Sequence, residues 1–212
     1  MAPGETPIPR NARAGGAEPR EIGALTAASR AKTRYKRSVT RRWKLFLWVS
    51  LPVLVLDQVT KLWARRALPT DEHGRGIPIS VIENFFDWQL AYNTGASFSM
   101  FAGTSGARVF LSLAAVAAVA FIVWTVKTSP GHRPSAFVAL ALIAGGAVGN
   151  LIDRVSMGKV TDFILWRYYE HAWPIFNVAD AALSVGVALF LIAGWRLSRD
   201  EKRAAAAESS AS

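Results

Sequence analysis

The sequence predicts an all-α polytopic membrane protein of four transmembrane helices, with a small β-rich extracytoplasmic element between helices 1 and 2. Three observations carry this. The 212 residues are 51% hydrophobic and only 19% charged, and the mean hydropathy is positive, which is apolar for a soluble domain. Four nearly uncharged segments, residues 43–61, 107–126, 135–152 and 178–195, each approach the roughly 20 residues that cross about 30 Å of hydrocarbon. Finally, Lys and Arg crowd the N-terminal tail, the link between the second and third segments and the C-terminal tail, a bias that places all three in the cytoplasm.

Residues 1–42 are rich in Ala, Gly, Pro, Arg and Glu without apolar periodicity and are expected to form a disordered basic cytoplasmic extension. Residues 1–44 hold eleven Lys or Arg against three Glu, which is +8 of the net charge of +10. A charge so placed, directly before an apolar run, favours a topological and lipid-surface role over nucleic-acid binding. A cleaved signal peptide fits poorly, because the run is too long for an h-region and ends in Lys61, Arg65 and Arg66. Residues 43–197 are expected to form the transmembrane domain, with Pro52 kinking its first helix, and residues 198–212 a cytoplasmic tail.

The segment after the first span carries Ile77, Ile79, Val81 and Ile82, then Phe85, Phe86 and Trp88, a texture of short strands and an interfacial platform. The short link 127–134 returns the chain to the cytoplasmic side between the second and third spans. Four spans in series then bring Asp57, Asp153, Asp162 and Asp180 to one level, at the outer face. An ionised Asp at the centre of a spanning helix costs roughly 2.5 to 3.5 kcal/mol on insertion scales, so acids near membrane depth tend to mark a site. With no Cys in the chain, thiolate nucleophiles and Cys-ligated metals are excluded and the nucleophile must be oxygen-based or water.

Each constellation also has an ordinary structural reading. Asp57 and Lys61 are spaced as a helical ion pair, with Lys61 snorkelling to the interface. Tyr92-Asn93-Thr94-Gly95-Ala96-Ser97-Phe98-Ser99 is a polar turn whose Asn93 could orient a peptide backbone. In Gly145-Gly146-Ala147-Val148-Gly149-Asn150-Leu151-Ile152-Asp153-Arg154, Gly145 and Gly149 allow close helix packing. Gly146, Asn150 and Asp153 share one face, and packing does not explain the two polar members. Asp162 sits in a loop after the third span. Asn177 and Asp180 have the spacing of a helix cap, and the stripe continues to Ser184; the pattern does not separate capping from catalysis. Ser156-Met157-Gly158-Lys159 matches the S-x-x-K of Ser/Lys acyl-transfer enzymes, a short pattern that arises by chance. His73, His132 and His171 are scattered without metal-ligand spacing, and no metal or cofactor is expected.

Taken together, Asp57-Gln58-Val59-Thr60-Lys61, Asn93-Thr94-Gly95-Ala96-Ser97-Phe98, the Gly145 to Arg154 run, Val160-Thr161-Asp162-Phe163 and Phe176-Asn177-Val178-Ala179-Asp180 closely resemble the lipoprotein signal peptidase family, signal peptidase II. The blocks occur in the family's order and cover residues 43–197. The resemblance implies an aspartic endopeptidase of the bacterial cytoplasmic membrane that removes signal peptides from diacylglyceryl-modified prolipoproteins, cleaving on the N-terminal side of the lipidated lipobox Cys. It puts the catalytic pair on Asp162 and Asp180, and substrate-binding positions on Asn93, Asn150, Arg154 and Asn177. Asp57, Lys61, Gly146 and Asp153 fall at supporting positions. Membrane lipids as surroundings, a monomer, and inhibition by the cyclic peptide globomycin are further expectations. Two carboxylates close together share one proton near neutral pH, so one can take a proton from water while the other donates to the scissile carbonyl.

Overall fold

The structure is a computed structural model that describes residues 19–95, 105–128 and 134–211. Among the described residues, four helices and four short strands follow one another as α1 (Pro19–Ala67), β1 (Ile79–Ile82), β2 (Phe86–Asn93), α2 (Ser105–Thr128), α3 (Pro134–Met157), β3 (Val160–Tyr168), β4 (His171–Ala172) and α4 (Val178–Ala211). The chain divides into two compact units, Met1–Ser38 and Val39–Ser212. Helix begins at Pro19 and includes residues 19–42. Their Ala, Arg, Lys and Glu are strong helix formers even without an apolar face. The C-terminal tail is likewise helical to Ala211.

In the second unit, four helices are long and apolar enough to cross a membrane: Val39–Ala67, Gly106–Thr128, Pro134–Met157 and Val178–Ser210. Each contains one of the apolar runs read from sequence, and α1 continues through Pro52. Helix α3 is the centre of the bundle, since 61% of its apolar window is buried against 17% in each of the other three. Its sequence explains this. Ala139, Ala141, Ala144, Gly145, Gly146 and Gly149 are all buried, and small residues let neighbouring backbones come close. A Cβ on Gly145 would lie 2.8 Å from the Ser50 carbonyl oxygen of α1, and one on Gly146 would overlap the Ala179 carbonyl oxygen of α4. Adjacent glycines thus serve opposite neighbours. Leu51, Val55, Phe121, Trp124 and Leu191 stay exposed on the outer helices, as side chains facing lipid do.

The strands form one sheet in the order β1-β2-β3-β4. The sheet between helices 1 and 2 therefore takes two further strands from the segment between helices 3 and 4. β2 and β3 are antiparallel, with Ala91 opposite Asp162 and Asn93 opposite Val160. Asp162 accordingly lies on a strand, not in a solvated loop. Asp87 and Arg167 pair at 2.6 Å between β2 and β3, with Asp87 almost wholly buried. Trp88 is not a free platform residue, because it packs edge-on against Trp63 and lies 5.9 Å from Phe163. Trp88 and Phe163 join Ala64, Leu68 and Leu90 in a core that anchors the sheet to the end of α1. Phe85 remains exposed.

Candidate active site

Three local features bring the site together. The first is the start of α4. Asn177 Oδ1 accepts from the Asp180 amide at 3.0 Å, and the Asn177 amide donates to Asp180 Oδ2 at 3.2 Å. This reciprocal pair is a capping box with Asp in place of Glu. A second free amide, Ala179 N–H, donates to Asp57 Oδ1 of α1 at 2.9 Å. The second feature is an isolated β-bridge just before it. Phe176 exchanges backbone hydrogen bonds with Ile164 at 2.8 and 3.0 Å and takes another from Phe163 N–H at 3.0 Å, which holds Asn177 beside the start of β3. The third is the end of α3, where Asp153 Oδ2 accepts from the Thr161 amide at 2.9 Å.

Asn177 is fully buried and links both acids. Its Oδ1 is spent on the Asp180 amide, while Nδ2 donates to Asp162 Oδ1 at 2.6 Å, with Asn150 Oδ1 at 3.2 Å and the Thr161 carbonyl oxygen at 3.3 Å within reach. Asn150 Nδ2 donates to Asp180 Oδ1 at 2.7 Å. Both Asp180 oxygens therefore accept an N–H. On the sheet side, the Asn93 side chain hydrogen-bonds Asp162, and Asn93 Oδ1 is turned back by the Gly95 amide at 2.8 Å. Gly95 has φ +87°, a conformation that favours glycine.

Burial, and next the negative charge of Asp180, push the Asp162 carboxyl up from 3.8 to about 7; its hydrogen bonds from Asn177 and Asn93 pull the other way and lose. Asp162 is only 3% exposed, so the proton it holds near neutral pH is shielded from solvent. Arg154 stands at the same place, its charge facing Asp180, Asp162 and Asp153. It also lines a groove of about 290 Å³ between α2 and α3, together with Arg108, Val109, Ser112, Leu113 and Val155.

Beneath the acids lies a buried ionic layer. Lys61 has no exposed surface and reaches Asp57 Oδ2 at 2.9 Å, Asn150 Oδ1 at 2.8 Å and Asp153 Oδ2 at 3.5 Å. It does not snorkel: α3 offers it two acceptors, and the glycine at 149 clears the space in which Asp57 sits, since a Cβ there would overlap Asp57 Oδ2. Arg65 and Thr161 also belong to this layer, at 2.9 Å from each other and with Arg65 3.6 Å from Asp153. Sequence reading used Arg65 only as a flanking charge, although 57, 61 and 65 at i, i+4 and i+8 form one helix stripe. Buried ion pairs seldom add net stability over apolar packing, so a layer of this size points to a site.

The structure thus assembles Asp57, Lys61, Asn93, Asn150, Asp153, Arg154, Asp162, Asn177 and Asp180 around one point, while Gly146, one turn before Asn150, serves the close approach of α4. Ser184 is exposed and stands apart from them, because the polar stripe of α4 leaves the bundle one turn below Asp180. Ser156 donates to the Ile152 carbonyl oxygen at 2.7 Å, and Lys159 lies 3.3 Å over the Tyr92 ring, so these two do not form a Ser/Lys pair. Residues 96–99 of the polar turn, together with His132, lie outside the described residues.

The profile of signal peptidase (SPase) II matches residues 49–196, which holds every one of these assembled residues. The chain belongs to the signal peptidase II family. It is 42% identical over 159 residues to the lipoprotein signal peptidase of Pseudomonas putida, covering 74% of this chain and 90% of that one. Against the lipoprotein signal peptidase of Xanthomonas campestris the identity is 39% over 151 residues, 69% of this chain and 87% of the relative. Among solved structures, a bacterial membrane enzyme determined by the in meso method at 2.3 Å resolution superposes with a TM-score of 0.64 at 28% identity, over 73% of this chain and 90% of that one. A second, at 1.9 Å resolution, gives 0.61 at 30% identity, over 70% and 90%. This signal peptidase II family member is therefore a multi-pass bacterial membrane protease that acts on lipoprotein signal peptides.

Proposed function

We propose that this chain hydrolyses diacylglyceryl-modified prolipoproteins on the N-terminal side of the lipidated Cys, using a water activated between Asp162 and Asp180. The observation that carries the reading is the pair itself. Two carboxylates from separate elements, β3 and α4, are tied through one buried residue, Asn177, whose side-chain Nδ2 donates to Asp162 and whose backbone N–H donates to Asp180, and the buried member is raised to about 7 by desolvation and by the other's charge.

The chemistry follows from that arrangement. The ionised carboxylate takes a proton from water as the water oxygen attacks the scissile carbonyl carbon, and the neutral carboxyl gives its proton to the carbonyl oxygen. Collapse of the tetrahedral species returns a proton to the departing amide nitrogen and frees the signal peptide. Two acids and a water suffice. Asn93 and Arg154 are suited to hold the peptide backbone and the developing oxyanion, an effect worth about 3 to 4 kcal/mol per well-placed donor in other enzymes. Asn150 and Asn177 act from behind by fixing the acids, and Asp57, Lys61, Gly146 and Asp153 hold those two amides in place.

The groove between α2 and α3 opens among side chains that face lipid and ends at Arg154. It suits acyl chains that stay in the bilayer while the peptide bond reaches the acids. The excess of Lys and Arg on both termini and on the α2–α3 link favours a site on the outer face of the cytoplasmic membrane, with both termini inside. The protein works as a monomer in this reading, and globomycin, a cyclic peptide, would compete at the same place.

The test is cleavage of a synthetic precursor carrying a diacylglyceryl thioether on Cys, compared with its unmodified twin, followed by mass spectrometry in detergent. Release of the signal peptide from the lipidated precursor alone is expected. No cleavage, or equal cleavage of the twin, would overturn the substrate assignment.

A further inference from the structure

Lys61 is the largest fully buried side chain among the described residues, yet it does not touch either Asp162 or Asp180. Its ammonium has three N–H groups and no acceptor. They meet three acceptors: Asp57 Oδ2 at 2.9 Å, Asn150 Oδ1 at 2.8 Å and Asp153 Oδ2 at 3.5 Å. The contact with Asn150 has a directional consequence. Because Lys61 can only donate, Asn150 must turn its oxygen toward it, and the second donor, Asn177 Nδ2 at 3.2 Å, reinforces that choice. The Asn150 NH2 group is then forced onto Asp180 Oδ1, at 2.7 Å. With the Asn177 backbone N–H on Oδ2, both oxygens of Asp180 are committed as acceptors, and neither presents a donor to these two neighbours.

We propose that Lys61 is a positioning residue that sets the polarity of the acid pair: by locking the Asn150 amide it makes Asp180 the proton acceptor and leaves the shared proton on Asp162. Asp180 then activates the water and Asp162 protonates the scissile carbonyl. The inference rests on the two-acid reading above and goes beyond it by assigning a role to each member. Of the charged groups around the pair, Asp180 favours the proton on Asp162, and the charge of Lys61 opposes it more weakly. Lys61, Arg65 and Asp57 face it from α1, and Asp153 and Arg154 from α3. β2 contributes the neutral Asn93, and the burial of Asp162 supports the same order.

The experiment is the pH dependence of kcat and KM for a lipidated precursor, using full-length Lys61→Met and the charge-balanced Lys61→Met/Asp57→Asn. In the double variant the carboxamide that replaces the Asp57 carboxylate can still accept from the Ala179 amide, while Asp153, which loses Lys61, keeps Arg65 at 3.6 Å. Without Lys61 the Asn150 amide is free to invert and to present oxygen to Asp180. The acidic limb of the profile, which reports formation of the pair's base form, is expected to move up by about one pH unit, the size of one lost hydrogen bond to a charged group. At neutral pH kcat should fall about tenfold, with KM unchanged. A residue that merely supports the fold would lower the amount of active enzyme and leave the limb where it is. An unmoved limb in folded Lys61→Met or in the double variant would overturn the proposal. So would a double variant that did not fold, since Lys61 would then serve stability alone. If Asp162→Asn and Asp180→Asn abolish cleavage while the Lys61 variants keep the wild-type profile, the two-acid reading stands and the positioning role falls.

Discussion

Replacing Asp162 by Asn should make the protein more stable, and only at higher pH. In the folded chain the Asp162 carboxyl rises from 3.8 to about 7, with burial as the largest cause. The folded state therefore holds this proton more tightly than the unfolded one. The stability it contributes is complete below about 3.8, falls as pH rises, and is gone above about 7. At about 1.4 kcal/mol for each pH unit between those values, wild type loses about 4 kcal/mol that an Asn, which cannot ionise, would keep. The side-chain amide of the Asp162→Asn variant retains an oxygen for the Asn177 donor at the 2.6 Å contact, so little else changes. The assay is thermal unfolding of both proteins in one detergent at pH 4 and pH 8. Their midpoints should agree at pH 4, and the variant should lead at pH 8 by on the order of 10 °C. Acids that do not interact with Asp162 titrate alike in both proteins and cancel in the difference, which leaves Asp162 and its coupling to Asp180. A gap that does not change with pH, or that favours wild type at pH 8, would refute the claim that Asp162 is held protonated by its surroundings.

Gly149→Ala would drive a Cβ into Asp57 Oδ2, and Asp57 has no room to move; a loss of about 1 to 3 kcal/mol in stability is expected, read by thermal unfolding, together with lower activity. Ser156→Ala and Lys159→Ala should each keep near wild-type cleavage of a lipidated precursor, because neither side chain meets the acids; loss of activity in either would revive the Ser/Lys mechanism. Removing residues 1–36 should leave kcat/KM for the same precursor within about twofold, since the assembled site draws on nothing before Asp57.

Much of the site was legible because its members announce themselves against an apolar background. An Asp or Asn at the end of a membrane-length run has few ordinary explanations, and Asp57, Asn150, Asp153 and Asp180 stood out for that reason. Asp162 was harder to place. Its strand pairs with residues about 70 positions earlier, Ala91 opposite Asp162, and such pairing leaves no local trace, so the residue read as part of a loop. Within α1 alone, Lys61 reads equally as a helix-end ion pair reaching water, and the family resemblance put it at a supporting position; its burial depends on acceptors from α3, which no pattern within α1 reveals. Ser184 went astray by the opposite route, through extending a helical stripe one turn beyond the point where α4 faces its neighbours. Ala, Lys and Arg, which are strong helix formers, fill the helix from Pro19 onward.

The central claim is that Asp162 and Asp180 together perform hydrolysis. It is tested most directly by incubating a diacylglyceryl-modified precursor with the purified protein and with Asp162→Asn and Asp180→Asn, all in detergent with EDTA present. Wild type is expected to release the signal peptide on the N-terminal side of the lipidated Cys, and both folded variants to release none. Cleavage retained by either variant would contradict the assignment and move the chemistry to other residues.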